Sequence, residues 1–111
     1  MYPKKHNKYK NKKVMLDGVL FDSKKEMQRY LQLKMLVRIG EITQLEPHPK
    51  YLLHCNNVKV CSYTADFFYY DNKNSEFVVE DVKSPATKKL PLFRLKAKMM
   101  KAEYGIDILI T

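Results

Sequence analysis

Phe77-Val78-Val79-Glu80-Asp81-Val82-Lys83-Ser84 reads as one β-strand, with the turn-rich Asp71–Ser75 before it and Pro85 after it. Side chains alternate between the two faces of a strand. Phe77, Val79, Asp81 and Lys83 therefore share one face, and Val78, Glu80 and Val82 share the other. A carboxylate and an ammonium two residues apart close an otherwise apolar strand. The carboxylate can bind a divalent cation, and the lysine can sit beside a bound water or a phosphate oxygen. Taken alone, the pair reads first as a solvated strand end with a surface ion pair, because short motifs recur by chance.

The preceding stretch, Tyr63-Thr64-Ala65-Asp66-Phe67-Phe68-Tyr69-Tyr70, holds a single charge and reads as a continuous strand. Asp66 and Asp81 are nearly equidistant from Asn72-Lys73-Asn74-Ser75. Antiparallel pairing about that turn would set the two acids side by side, where a shared cation relieves their repulsion. The plain alternative for Asp66 is an acid bonded to a turn.

Further back, Asp17-Gly18 between Lys12–Leu16 and Val19–Phe21 is a two-residue hairpin signal. Ser23-Lys24-Lys25-Glu26 opens a helix in capping-box form, and Gly40 stops it after Ile39. On that helix Glu26 falls in the apolar arc of Tyr30, Leu33 and Val37. A buried charge needs a partner. It is either the box residue reaching back to Ser23 or a third carboxylate of the site. Ile42–Leu45 is a short extended piece broken by Pro47 and Pro49. Tyr51–Cys55 and Val58–Tyr63 are strands turning at Asn56-Asn57.

A second helix runs from Pro91 to just before Gly105, and Ile106–Ile110 forms a last strand. Leu92, Leu95, Met99 and Ala102 lie on one side of the helix, and Phe93, Ala97, Met100 and Tyr104 on another. Arg94, Lys98 and Lys101 form a basic face suited to a phosphate backbone. Lys96 falls inside the apolar arc, where it either snorkels outward or reaches toward Asp81. The order of hairpin, helix, three strands, helix and strand predicts an α/β (α+β) fold, a mixed central β-sheet flanked by helices.

Composition narrows the function. The 111 residues suit one domain over 12–111, with residues 1–11 as a flexible basic arm. Twenty-one basic against twelve acidic residues give a net charge of +9. The excess sits in two blocks. Residues 1–13 carry six lysines and no acid, and residues 84–101 carry five lysines and Arg94. Such blocks on a mildly acidic body point to a polyanion, though the first is equally a solubilising tail. Two cysteines, Cys55 and Cys61, make neither a disulfide framework nor a zinc motif. No apolar run is long enough to span a membrane and no signal-peptide core is present, so a cytoplasmic, reduced location is expected.

The order Glu26, Asp66, Asp81-x-Lys83 resembles the PD-(D/E)XK nuclease superfamily. Five blocks in sequence, Phe21–Glu26, Ala65-Asp66-Phe67, Val79–Lys83, Phe93–Lys96 and Tyr104-Gly105-Ile106, resemble more closely a small phage and prophage endonuclease family. Some of its members are Holliday-junction resolvases. The likeness covers roughly residues 8–108. It implies a restriction-endonuclease-like core, Mg²⁺ as cofactor with Mn²⁺ as substitute, and a homodimer cutting branched DNA in recombination or replication. It further implies that Asp66, Asp81 and the Val82 carbonyl hold metal, with Glu26 completing the shell. Lys83 would polarise the attacking water. Lys8, Lys10, Lys12, Lys13, Lys88, Lys89, Arg94, Lys96, Lys98 and Lys101 would contact DNA, with Lys96 an auxiliary phosphate contact. Ala65 stands where the superfamily pattern has proline, Ser84 where relatives often have glycine, and Pro91 could shorten the second helix. The alternatives are a nicking or single-strand-directed endonuclease, and a non-catalytic basic nucleic-acid-binding module.

Overall fold

The computed structural model describes residues 13–111. The 1–11 arm and Lys8, Lys10 and Lys12 lie outside the described residues. The elements are β1 (Val14–Leu16), β2 (Val19–Phe21), α1 (Lys24–Arg38), β3 (Ile42–Pro47), β4 (Lys50–Cys55) and β5 (Val58–Thr64). They continue with β6 (Phe67–Asp71), β7 (Glu76–Asp81), α2 (Pro85–Lys88), α3 (Pro91–Tyr104) and β8 (Leu109–Ile110). The fold is α+β. Its central sheet has the order β3-β6-β7-β8, antiparallel except for the parallel β7–β8 pair. Among the described residues no helix is long and apolar enough to cross a membrane.

Each face of the sheet buries its own core. Phe67 and Tyr69 point to one side, where α1 covers them with Tyr30 and Leu33, and Phe21 and Ile42 complete the cluster. Val79 points to the other side and meets Leu53, Tyr63, Ala65 and Met100. That second layer is the β4–β5 hairpin with α3, joined where the Tyr104 hydroxyl donates to the Leu52 carbonyl at 2.6 Å. Fully burying a ring such as Phe67 contributes about 2–3 kcal/mol.

Local signals act as the sequence predicts at several joints. Asp17 and Gly18 both take positive φ, 54° and 76°, as a tight two-residue hairpin requires. Ser23 caps α1 by accepting the Glu26 N–H at 3.1 Å. The turn between β6 and β7 closes on Asp71, whose Oδ1 accepts the N–H groups of Lys73 and Asn74. Pro91 starts α3 and does not shorten it. Gly105 ends it with φ 70°, a left-handed cap that a side chain would strain.

Three expectations need correction. The 63–70 stretch is not one strand: the chain bends at Ala65-Asp66, where the Ala65 N–H turns to the Pro49 carbonyl at 3.0 Å. Consequently β5 leaves the central sheet to pair only with β4, and β3 takes the place beside β6. The strand begun at Glu76 ends at Asp81, so Val82 and Lys83 lie just beyond it. Finally, the two flanks of α3 do not both pack along their length, although Met99 of the Leu92 flank joins the core. Phe93, Ala97 and Met100 turn inward, whereas Leu92 and Leu95 remain exposed.

Candidate active site

The β6–β7 register pairs Phe67 with Glu80, so the residues just outside that pair, Asp66 and Asp81, meet at one end of the sheet. The Asp66 N–H donates to the Glu80 carbonyl at 3.1 Å, extending the ladder by one bond. Asp66 Oδ2 in turn accepts the Val82 N–H at 2.6 Å. The bend at Asp66 therefore aims its carboxylate across the hairpin, toward Asp81. Asp81 is buried, and the Tyr63 hydroxyl donates to it. Lys83 Nζ stands 3.5 Å from Asp81 Oδ1 and 5.0 Å above the Phe93 ring. The aromatic face steadies that ammonium.

Glu26 arrives from α1. Its side chain does not complete a capping box with Ser23. Oε1 instead accepts the Asp22 N–H at 3.4 Å and lies 3.1 Å from His48 Nε2. Glu26 is 5% exposed, and one of its carboxylate oxygens lies within 4.8 Å of one of Asp66's. Glu26, Asp66 and Asp81 thus form a chain of three neighbouring carboxyls. Burial pushes Asp66 up to about 6, and the adjoining Glu26 adds to the rise. Burial and the Asp66 carboxyl push Asp81 up to about 7, against the opposing pull of Tyr63 and Lys83. Acids that resist ionisation side by side fit a cation, which removes both penalties at once.

A cleft of about 400 Å³ beside these groups is lined by Ser23, Lys24, Lys25, Glu26, Asp66 and Lys83, among others, whereas Asp81 is buried behind it and does not line it. The start of α1 and the turn into α2 form its walls. Oxygen donors of this kind suit Mg²⁺ or Mn²⁺. Val82 also lines the cleft, beside Asp66.

Glu80, next to Asp81, points to the opposite face and has a different task. It is fully buried and holds Arg29 at 2.5 and 3.0 Å, the Tyr69 hydroxyl at 2.7 Å and the Thr111 hydroxyl at 3.0 Å. Its lone pairs are taken, so it is a structural anchor between α1 and the sheet.

The basic residues are less convergent. Lys13 pairs with Asp22 at 3.3 Å, and Lys101 with Asp107 at 2.8 Å. Lys88, Lys89, Arg94 and Lys98 are exposed on α2, its end and α3. Lys96 is half-buried and does not line the acidic cleft. Lys24 and Lys25 do line it, though the sequence pattern assigns them no role. The sequence pattern also passes over His48. Its only signal is a histidine held between Pro47 and Pro49, a residue of ligand type in a segment with restricted backbone.

A mixed sheet between two packed layers, with a carboxylate-rich cleft at one end, defines the molecule structurally. The chain belongs to the family described as "Protein of unknown function (DUF1064)", which matches residues 6–109. No curated protein and no solved structure matches it.

Proposed function

We propose that this protein is a metal-dependent, structure-selective DNA endonuclease that hydrolyses phosphodiester bonds, of the Holliday-junction-resolvase type. The observation that carries the reading is the hairpin register, which sets Asp66 beside Asp81 and leaves Lys83 Nζ 3.5 Å from Asp81. Glu26, from a separate element, closes the same cluster. The resemblance to the PD-(D/E)XK superfamily supports the assignment of roles.

Asp66, Asp81 and the Val82 carbonyl would hold Mg²⁺, with Glu26 completing the shell. When bound, the ion lowers the pKa of a water and neutralises charge on the scissile phosphate. The remaining work falls to the chain. Lys83, pinned by Asp81 and Phe93, offers its ammonium to the phosphate oxygen or the attacking water. Lys24 and Lys25 at the cleft wall draw the phosphate backbone in, and the exposed Arg94 and Lys98 extend that surface along α3. Symmetric cutting of a four-way junction needs two such sites, so a two-fold homodimer belongs to the reading. An enzyme acting on phage or prophage DNA would work in the cytoplasm.

The test is cleavage of a labelled four-way junction beside matched duplex and single strand, in Mg²⁺, in Mn²⁺ and in EDTA. Paired, metal-dependent cuts near the branch are expected, abolished by Asp81→Asn and Lys83→Ala with binding retained. Metal-dependent cutting without branch preference would favour a nicking or single-strand enzyme. Tight binding with no cutting in either metal would overturn the catalytic reading in favour of a basic binding module.

A further inference from the structure

Mg²⁺ prefers an all-oxygen shell, and the endonuclease reading assigns it only oxygen donors. Beside the cleft stands a donor set of another kind. Glu26, His48 and Asp66 each present one donor atom, and these atoms lie within 4.8 Å of one another. His48 Nε2 and Glu26 Oε1 are 3.1 Å apart. Two donors at that spacing, each about 2.1 Å from an ion, subtend close to a right angle at it, the angle between neighbouring octahedral ligands.

The backbone at His48 supplies an independent sign. Its φ is 54°, a left-handed conformation that non-glycine residues seldom adopt. Proline on either side restricts the segment further. The His48 N–H donates to the Asp66 carbonyl at 2.9 Å, so the ring and the Asp66 carboxylate are fixed to the same short stretch of backbone. The imidazole packs on Phe21, with ring centroids 5.8 Å apart. Its side chain is 31% exposed, open enough for an ion to reach, whereas Glu26 beneath it is buried. A residue held by backbone, a tilted ring contact and a buried acid is a positioned donor.

We infer that Glu26, His48 and Asp66 form a mixed nitrogen and oxygen cation position that takes a first-row transition-metal ion in preference to Mg²⁺. Imidazole nitrogen binds ions such as Co²⁺ far better than it binds Mg²⁺, which parts reluctantly with water. Asp66 would serve this position as well as the one it shares with Asp81. The inference deepens the endonuclease reading, because it names a cation for the same cleft, and its test does not depend on cleavage.

The experiment titrates the metal-free protein with Co²⁺, followed by the visible absorption of the ion, and with Mg²⁺, followed by calorimetry. The variant is His48→Asn, since asparagine tolerates positive φ and removes the ring nitrogen. Co²⁺ affinity should fall at least about tenfold in the variant, and Mg²⁺ affinity should change less than about twofold. A second measurement uses the wild type alone. Co²⁺ should move the His48 imidazole N–H far downfield in the proton spectrum, as direct ligation does, while His54, engaged by Glu103 at 2.7 Å, keeps its position. Equal Co²⁺ affinity in both proteins, or broadening of His48 without a large displacement of its resonance, overturns the inference and leaves the endonuclease reading intact if Mg²⁺ still binds. Failure of the wild type to bind any divalent ion overturns both.

Discussion

Asp81→Asn should stabilise the metal-free protein while removing its cleavage. Burial and the neighbouring Asp66 carboxyl raise Asp81 from 3.8 to about 7. Each tenfold weakening of an acid corresponds to about 1.4 kcal/mol, so the ceiling on the destabilisation at high pH is about 4 kcal/mol. That ceiling already includes the opposing pull of Tyr63 and Lys83, and asparagine still buries a polar group, which leaves an expected gain of about 2 kcal/mol, or roughly 8 °C in Tm. The pH dependence follows from the direction of the rise. Below 3.8 the acid is protonated in both folded and unfolded chains, and the full contribution to stability is present. It is lost as pH rises through the folded values of about 6 for Asp66 and about 7 for Asp81. Wild type and variant should therefore melt together near pH 4 and separate by pH 8, with the variant the more stable. The assay is thermal unfolding by circular dichroism in EDTA across that range. Adding Mg²⁺ at pH 8 should raise the wild type and leave the variant nearly unmoved. A variant no more stable than wild type at pH 8, or a gain that is the same at pH 4, would refute the reasoning.

Other substitutions address the remaining parts of the molecule. Arg29→Ala leaves the fully buried Glu80 without its cation and should cost about 3 kcal/mol, measured by urea unfolding, with part returned by the double variant Arg29→Met, Glu80→Gln. Phe93→Leu removes the ring beneath Lys83, and should lower cleavage about three- to tenfold in single-turnover kinetics while DNA affinity stays within a factor of two. Deleting residues 1–11, which carry four lysines, should weaken DNA binding and reduce the slope of log affinity against log salt by up to about 3.6. An unchanged slope would remove that segment from the interface.

The acid pair was legible because a hairpin is a counting problem. The 72–75 turn and strand alternation fix Asp66 against Asp81 without knowledge of anything distant. Glu26 was legible as a charge on an apolar helical arc. The separation of β4–β5 from the sheet was not, because it turns on a bend at Ala65-Asp66 that the uninterrupted aromatic pattern of 63–70 conceals. Asp66 is the one charged break in that run, and the bend that detaches β5 also aims its carboxylate. His48 escaped because its position depends on a left-handed φ between two prolines and on a backbone bond to Asp66, neither of which has a periodic signature. Arg29 escaped as the partner of Glu80 because the two stand 51 positions apart in the chain.

Glu80 and Asp81 also bear on how reliably the chain finds its pairing. A slip of β7 by one residue along β6 would exchange the two faces. It would carry Asp81 to the place Glu80 holds beside Arg29 and Tyr69, and Glu80 to the core place of Val79. Glu80 would then lie among Leu53, Ala65 and Met100 with no cation, and a buried unpaired charge penalises the error heavily. The surface turn, where Asp71 gathers the Lys73 and Asn74 N–H groups, sets the same count. Register is thus written twice, once in the exposed turn and once in the buried acids, and damage to the turn alone leaves the second copy to enforce the pairing.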